Sequence, residues 1–414
     1  MRTDRYRQDP PEKKHSAFKI ILILVLLLAA ATAGFAGYTY KTANDSLAIS
    51  FAADPVKVEF GGTYKALDYV TSSVGKVTAS DKYLDTDTVG NRKLNFTVSK
   101  SLFGGLLNPE KEFTLNYSVI DTVPPLQLWN GSGTVLERGT EFDINDVIGY
   151  GDNADPNPTV KVKGKVNMKK NGRYPLHVTV TDASGNKTEW DMYVDVADNV
   201  PAYNDNFPRT SFSDFMKKHK GKGRSFGIDV STWQGDVDFK SVKSAGCDFV
   251  IIRVGYSADG KVNIDSKFEQ NYKKAKEAGL RRGLYLYSYD NTEEKAQASA
   301  DWIIKKLAGD RPELPIAFDW EDFGRFQAYD MNFATLNRMY DVFENELSKA
   351  GYESMLYGSK NFLEKVWEDT DKRPVWLAHY TEKTDYKGPY NIWQASCTGR
   401  IDGIDGDVDM DIKF

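Results

Sequence analysis

Three hydrophobic patterns follow one another along the chain. Residues 20–40 form an uncharged run rich in Leu, Ile and Ala. Residues 46–200 alternate apolar and polar positions between Gly, Asn, Asp and Pro turns, which is typical of β-strands. Residues 225–414 alternate short apolar runs with segments of helical periodicity. The pattern therefore predicts a membrane helix, an all-β region and an α/β domain, in that order.

The first run is long enough to cross a bilayer, which takes about 20 apolar residues. The preceding segment, 1–19, is basic and contains Arg2, Arg5, Arg7, Lys13, Lys14 and Lys19. The positive-inside rule then places 1–19 in the cytoplasm as a basic tail, with everything after Lys41 outside the cell. The alternative is a signal peptide cleaved at Ala31-Thr32-Ala33. We favour an uncleaved anchor, because the run exceeds the roughly 7–15 residues of a signal core.

The all-β region contains a duplication. Its halves, 46–122 and 123–200, share three short motifs: 58–63 matches 135–140, 94–98 matches 176–180, and 121–124 matches 198–201. Each half is predicted to form a small β-sandwich. The second, through residues 178–186, resembles the bacterial immunoglobulin-like domains of surface proteins. Neither half shows a catalytic constellation, so we expect spacers that are dispensable for chemistry; binding of wall or protein is the alternative.

Residues 201–224 are interpreted as a linker between the repeats and the last domain. Four lysines make this segment basic: Lys217, Lys218, Lys220 and Lys222. Contact with anionic wall polymer is one role that such a linker could have.

The last domain alternates strands with helices. The predicted strands are 249–256, 283–289, 354–357, 375–380 and 392–395, together with three acid-tipped runs near 226–230, 314–321 and 407–412; the predicted helices are 267–278, 293–307, 333–349 and 361–367. Eight strands with helices between most of them predict a (β/α)8-type, TIM-like barrel. Active sites of such barrels lie at the C-terminal ends of the strands.

Two carboxylates stand at the end of one predicted strand. Asp319 and Glu321 are spaced i, i+2 and would therefore point the same way. Like charges repel, so one of the two is pushed toward its protonated form. A glycosidase needs this combination of one proton donor and one charged carboxylate. The alternative is an acidic strand end that leads into a solvated loop.

Two further acids occupy similar places. Asp229 ends the strand near 226–230, and Asp409 lies between Asp407 and Asp411 in an alternating run, so these three acids are expected to share one face. Alternatively, Asp229 caps the following turn with Ser231, and Asp409 is a solvated acid.

The predicted domain over 225–414 resembles glycoside hydrolase family 25, the Chalaropsis-type lysozymes. These enzymes cut the β-1,4 bond between N-acetylmuramic acid and N-acetylglucosamine in peptidoglycan. The motifs that carry the resemblance are 227–231 with Trp233-Gln234, Asp319 with Glu321, 376–378, Trp393-Gln394 and Val408-Asp409. The chain departs from the family pattern after 283–285, where an aromatic and a His are common and Leu286-Tyr287-Ser288-Tyr289 stands here.

The resemblance implies roles for the four acids. Glu321 would be the general acid. Asp319 would be its partner, which orients or stabilises the 2-acetamido group of the substrate as that group attacks the anomeric carbon, or acts on water or sugar directly. Asp229 and Asp409 would complete the acidic cluster.

Aromatic residues near the strand ends are candidates for sugar contacts. We expect such contacts from Tyr289, Tyr357 and Trp393, and further ones from Tyr256, Tyr287 and Trp376. Trp320 lies between two inward-pointing acids and should face outward.

Other functional classes find little support. The chain has no Walker loop, no Cys or His cluster and no Gly-rich dinucleotide turn after a strand, and the acidic stretch 402–411 does not fit a calcium loop. We therefore expect no cofactor and no metal. A net charge of −5 gives no reason to invoke nucleic acid. Cys247 and Cys397 should lie at opposite ends of the barrel, too far apart for a disulfide.

Together these observations predict a membrane-anchored extracellular muramidase whose partner is the peptidoglycan strand. Two alternatives remain open: a chitinase-like glycosidase, and a non-catalytic module that binds the cell wall.

Overall fold

The computed structural model describes residues 14–202 and 208–414. They belong to two compact units, Met1–Asp121 and Thr122–Phe414. Most of the predicted cytoplasmic tail and positions 203–207 of the predicted linker lie outside the described residues.

The first unit begins with one long helix, α1 (Lys14–Ser46). Its most apolar window has a mean hydropathy of 2.6, so the helix is long and apolar enough to cross a membrane, as a signal sequence near an N-terminus also can be. The helix is longer than the predicted 20–40. Ala43 in its last turns and Leu47 just after it are buried, so its C-terminal end packs against the domain that follows.

The first repeat is a small β-sandwich. Its strands are β1 (Ala48–Phe51), β2 (Val56–Glu59), β3 (Val70–Val74), β4 (Lys76–Ala79), β5 (Gly90–Ser99) and β6 (Glu110–Ile120). One sheet pairs β1 with β3, and the other has the order β2-β6-β5-β4. The rings of Phe51 and Phe96 meet between the sheets at 5.1 Å.

The second repeat has the same plan. Its strands are β7 (Leu126–Trp129), β8 (Thr134–Glu137), β9 (Gly149–Gly151), β10 (Thr159–Lys163), β11 (Gly172–Thr181) and β12 (Lys187–Ala197). Strand β7 pairs with β9, and β8-β12-β11-β10 form the larger sheet, with β8 parallel to β12 just as β2 is parallel to β6. The two regions therefore share one strand arrangement.

The last domain contains ten strands and six helices among its described residues. The strands are β13 (Thr210–Ser211), β14 (Ser225–Val230), β15 (Phe249–Ala258), β16 (Lys261–Ile264), β17 (Arg281–Ser288), β18 (Ile316–Asp319), β19 (Ser354–Ser359), β20 (Val375–Ala378), β21 (Ile392–Arg400) and β22 (Val408–Lys413). The helices are α2 (Phe212–Lys218), α3 (Phe239–Ser244), α4 (Phe268–Glu277), α5 (Glu293–Leu307), α6 (Phe333–Lys349) and α7 (Lys360–Lys365).

Eight of these strands close into a barrel that departs from the predicted (β/α)8 pattern. The order is β14-β15-β17-β18-β19-β20-β21-β22, and β22 returns to β14. Strands β14 to β21 run parallel, but β22 is antiparallel to both of its neighbours. The connection from β21 to β22 spans only residues 401–407, which suits an antiparallel pair and is too short for a helical crossover. The expectation of a regular (β/α)8 barrel was therefore wrong at the last strand.

The segment 208–224 is not the linker that the sequence predicted. Strand β13 pairs with β21, and Phe212 and Phe215 of α2 are buried in the core outside the barrel. The lysines that suggested a basic linker include Lys217 and Lys218, which lie in the last turn of this short helix. Residues 208–224 are therefore part of the barrel domain.

Alternate side chains of the barrel strands pack into two different hydrophobic cores. Phe249, Tyr285 and Met355 belong to the core inside the barrel, whereas Val250, Leu284 and Leu356 belong to the core between the barrel and its helices. Cys247 and Cys397 form no disulfide with each other.

Candidate active site

The acid pair lies where β18 ends. Asp319 is the last residue of the strand, is buried, and has Tyr287 and Tyr357 as its register partners on the two neighbouring strands. Glu321 follows two positions later, is exposed at the C-terminal ends of the barrel strands, which we call the mouth, and interacts electrostatically with Asp319. The intervening Trp320 faces outward, as predicted, and its Nε1 donates to the carbonyl oxygen of Asp290 at 3.0 Å. Strand alternation therefore brings the two carboxyl groups together on the inner side.

Asp229 and Asp409 lie opposite each other on adjacent strands. They are direct register partners in the antiparallel pair β14 and β22. Asp229 is buried, and its Oδ2 accepts a hydrogen bond of 2.8 Å from Nε2 of Gln394 on β21. The two ends of the chain's last domain thus supply two acids to one site.

Two tyrosine hydroxyl groups orient the side-chain amide of Gln394. Tyr357 and Tyr380 donate to Oε1 of Gln394 at 2.9 Å and 3.0 Å. Because both donors hold the oxygen, the amide nitrogen must point toward Asp229. The orientation of Asp229 is therefore fixed by three side chains from other strands or loops.

A fifth acid, Asp411, lies deeper in the barrel. It is fully buried, and its Oδ1 accepts from Nε1 of Trp376 at 2.8 Å. Asp407 was expected on the same face, but it lies outside, where it pairs with Arg209 at 3.0 Å and with Arg400. Strand β22 begins only at Val408, so the alternation that aligns Asp409 and Asp411 does not extend to Asp407.

The acids repel one another in a poorly hydrated space. Burial raises the pKa of Asp319 well above its usual value, the charge of Glu321 raises it further, and Arg253 opposes the change. Burial also raises the pKa of Asp229, followed by the charges of Asp409 and Asp411. The pKa of Asp409 rises to about 7 for similar reasons.

Glu321 has a raised pKa as well. Loss of water around the carboxyl group is the larger cause, although the residue as a whole is exposed, and the interaction with Asp319 partly offsets it. The cluster therefore retains protons that isolated carboxylates would lose, and these protons are shared over the group.

Two oxygens of this cluster lack a donor among the described residues, Oδ2 of Asp411 and, in the acid pair, Oδ1 of Asp319. Both atoms are buried. An acceptor left without a donor in such a place is costly, and a donor group on a bound molecule would satisfy it.

Three of the predicted sugar-binding tyrosines form a group near the mouth. Tyr287 contacts Tyr289 at 5.0 Å, and Tyr289 contacts Tyr256 at 6.3 Å between ring centroids. Tyr256 and Tyr289 are 45% and 39% exposed, so their rings are available to a ligand. The charge of Glu321 helps to raise the pKa of Tyr287, which indicates that this group borders the acid pair.

The other three predicted aromatics do not reach the mouth. Tyr357 and Trp376 are buried inside the barrel, where they hold Gln394 and Asp411. Trp393 lies on the outer side, and its Nε1 donates to the carbonyl oxygen of His379 at 2.8 Å. The prediction of a sugar contact from Trp393 was wrong, because alternation along β21 turns Gln394 inward and Trp393 outward.

The comparisons with known proteins agree with this geometry. Residues 228–404 match the family model of glycosyl hydrolases family 25, and residues 126–196 match that of the bacterial surface protein Ig-like domain. Lysozyme M1 of Streptomyces globisporus is 30% identical over 201 residues, which cover 45% of this chain and 67% of that protein. The chain belongs to glycosyl hydrolases family 25.

Two further lysozymes are similar to part of this chain. The autolytic lysozyme of Clostridium acetobutylicum is 30% identical over 188 residues, covering 45% of this chain and 54% of the relative. The crystal structure of a bacterial lysozyme from Streptomyces coelicolor superimposes with a TM-score of 0.40 and 27% identity over 46% of this chain and 92% of that one. The family 25 match includes Asp229, Asp319 and Glu321 and stops before Asp409.

Proposed function

We propose that this family 25 enzyme is a muramidase that hydrolyses the β-1,4 bond between N-acetylmuramic acid and N-acetylglucosamine in peptidoglycan. The observation that carries the proposal is the acid pair: a buried Asp319 with an unsatisfied oxygen beside a solvent-accessible Glu321 whose pKa is raised. The lysozymes named above support the choice of substrate.

Glu321 would donate a proton to the glycosidic oxygen as the bond breaks. It is the member of the pair that reaches solvent, and its raised pKa keeps the carboxyl group protonated to a higher pH than an ordinary Glu. General acid catalysis of this kind typically contributes about 10²- to 10⁴-fold in rate.

Asp319 would position the 2-acetamido group. The N–H of that group can donate to Oδ1 of Asp319, which directs the acetamido oxygen at the anomeric carbon. The acetamido oxygen bonds to that carbon while the leaving oxygen takes the proton of Glu321. Water, deprotonated by the Glu321 carboxylate, then opens the resulting ring and restores both groups. Asp319→Asn should therefore be severely impaired.

Asp229 and Asp409 would form the floor beneath the reacting sugar. Their negative charge, when present, stabilises positive charge that develops at the anomeric carbon. The charge of Glu321 in turn helps to raise the pKa of both Asp229 and Asp409.

We further propose that α1 anchors the enzyme in the membrane with the family 25 domain outside the cell. In support, the helix continues without a break through Ala31-Thr32-Ala33 and leads directly into the first sandwich. Fractionation should place the full-length chain with membranes. A mainly secreted form that starts after Ala33 would show that the helix is a signal peptide.

Analysis of the reaction products tests the proposed reaction. Purified peptidoglycan is digested with the enzyme, the new ends are reduced with borohydride, and the fragments are identified by mass. Reduced muramic acid at the new ends is the expected result. Reduced glucosamine ends, cleavage of chitin in place of peptidoglycan, or binding to walls without release of fragments would each contradict it.

A further inference from the structure

Residues 322–332, which we call the acid loop, connect Glu321 to helix α6. Within the loop, Phe323–Tyr329 forms an irregular 3-10 segment in which Phe323 and Phe326 are buried. The second sandwich lies against this loop, and its strand β9, Gly149-Tyr150-Gly151, is buried at all three positions.

The fit between β9 and the acid loop requires glycine. A Cβ on Gly149 would lie 2.5 Å from the carbonyl oxygen of Phe323, and one on Gly151 would lie 2.5 Å from Cδ1 of Phe326. Neither glycine is among those with a positive φ, so the backbone conformation would accept another residue. Close approach to the acid loop is therefore what demands glycine at both positions.

Among the described residues, all three hydrogen bonds of the Gln327 side chain in the acid loop go to the sandwich. Nε2 of Gln327 donates to the carbonyl oxygens of Asn145 at 3.0 Å and Ile148 at 2.9 Å, and its Oε1 accepts from the backbone N–H of Tyr150 at 3.3 Å. Three hydrogen bonds use most of the donor and acceptor capacity of this side chain. Gln327 therefore fastens the middle of the loop to the strand that covers it.

The sandwich also completes the start of helix α6. The first N–H groups of a helix have no acceptor within it. Here the N–H of Phe333 donates to the carbonyl oxygen of Asp152 at 2.8 Å, and Nδ2 of the N-cap Asn332 donates to that of Ala154 at 2.6 Å. Without the sandwich these donors would lose their partners, and the rings of Phe326 and Phe333 would lose their cover.

The acid loop in turn supports the acid pair. The ring of Trp320 contacts those of Phe323 at 5.0 Å, Phe326 at 5.5 Å and Tyr329 at 5.1 Å. Trp320 is the residue between Asp319 and Glu321. A continuous set of packed groups thus joins β9 to the two carboxyl groups.

We infer that the second β-sandwich is a working part of the catalytic unit, which holds the acid loop through β9 and thereby sets the position of Glu321. Gly149, Gly151 and Gln327 are positioning residues for the reaction. The inference rests on the proposed function. Its physical basis is that a displacement of about 1 Å at a reacting group can cost about 10²-fold in rate.

The test compares two interface variants with one control in the full-length chain. Gly149→Ala pushes on the loop backbone, and Gln327→Leu removes the three bonds with little change in size. Val196→Ala is the control, because Val196 is buried in the sandwich but lies outside the core cluster around Tyr150. Each folded variant is assayed for kcat and KM on peptidoglycan and for hydrogen exchange over 322–332.

The interface variants should lower kcat about tenfold or more, change KM less than about twofold, and speed exchange of the acid loop, while the control changes neither kcat nor exchange. The inference is overturned if either interface variant folds and keeps its kcat, or if the control loses as much. If the unaltered chain releases no fragments from peptidoglycan, the proposed function has failed by itself. Hydrogen exchange over 322–332 then decides the inference separately. Unchanged exchange in both interface variants overturns the positioning role, and faster exchange supports it.

Discussion

The two sandwiches share one strand order but have different surroundings. In the first, four of the five residues of β3 are exposed. In the second, the corresponding strand β9 is buried along its whole length against the acid loop. The same strand of the sandwich is thus mostly exposed in one repeat and packed against a loop in the other. The Gly-Tyr-Gly sequence of β9 allows a close approach that a strand such as Val70–Val74, with side chains at every position, would prevent.

The neighbours of each repeat in the chain differ as well. A single residue, Leu47, separates α1 from β1, and it is buried. The first sandwich therefore follows the apolar helix directly, with no flexible linker between them. The second sandwich instead belongs to the same compact unit as the barrel. We therefore expect the two repeats to respond differently to removal and to mutation.

Removing the second repeat should have the largest effect. A chain that starts at Pro208 would expose Phe326 and Phe333 and leave the first N–H groups of α6 without acceptors. We expect it to be insoluble, or folded with turnover at least tenfold lower than a chain that starts at Thr122. Equal turnover by the two soluble chains on isolated walls would show that the second sandwich is only a spacer.

A substitution at the mouth should act on binding and leave the acid loop in place. Tyr289→Ala removes an exposed ring, and aromatic contacts are worth roughly 0.5–1.5 kcal/mol, so KM should rise about two- to tenfold. Steady-state kinetics should show little change in kcat, the opposite of the result expected for Gly149→Ala. A fall in kcat at constant KM would place Tyr289 among the positioning residues.

The buried acids should make the stability of the catalytic unit fall at high pH. The pKa of Asp411 is raised above its unfolded value, so its contribution to stability is full below about 4 and is lost as the pH rises through the folded-state pKa. Asp411→Asn cannot ionise and keeps an acceptor for Trp376. Its melting temperature should exceed that of the parent by a few degrees at pH 8, roughly 2–4 °C per kcal/mol, and by less at pH 4.5.

Calorimetry of the chain that starts at Thr122 measures this difference. Asp407→Asn is the matched control, because Asp407 is paired with arginines outside the barrel and should give no gain at pH 8. A gain for Asp411→Asn that is the same at both pH values would contradict the account.

Removing residues 1–121 should have the smallest effect on chemistry. The first repeat lies in a separate compact unit, and none of the proposed catalytic residues belongs to it. The chain that starts at Thr122 should keep kcat on isolated walls within about twofold of that of the full-length chain. A larger loss would show that the first repeat also serves the reaction.

Local patterns were enough to predict much of this molecule. Period-two alternation predicted both sandwiches and placed Asp319 and Glu321 together with Trp320 outside. The motifs also pointed to Asp229 and Asp409, which the barrel brings into register. These features depend on spacing within one strand, which the sequence shows directly.

Features that depend on contacts between distant segments were missed. Gln394 was passed over in favour of Trp393, because only the closed barrel reveals which of the two faces Asp229. The reversed direction of β22 was also missed: its connection from β21 is short, but its other neighbour, β14, lies far away in the chain. The glycines of β9 gave no signal, since Gly-Tyr-Gly is also compatible with a simple turn in an exposed sheet.

The central claim is that Glu321 donates the proton in peptidoglycan hydrolysis, and one substitution tests it most directly. Glu321→Gln keeps size and polarity but removes the transferable proton. The measurement is the rate of release of reducing ends from purified peptidoglycan, with Glu353→Gln, on the loop before β19 at the other end of the barrel, as the control.

We predict that folded Glu321→Gln loses about 10²-fold or more in turnover, while Glu353→Gln stays near the parent. In the parent, activity should fall on the alkaline side as Glu321 loses its proton, at a pH above that of an ordinary Glu. Near-normal turnover by folded Glu321→Gln would contradict the assignment of Glu321 as the acid.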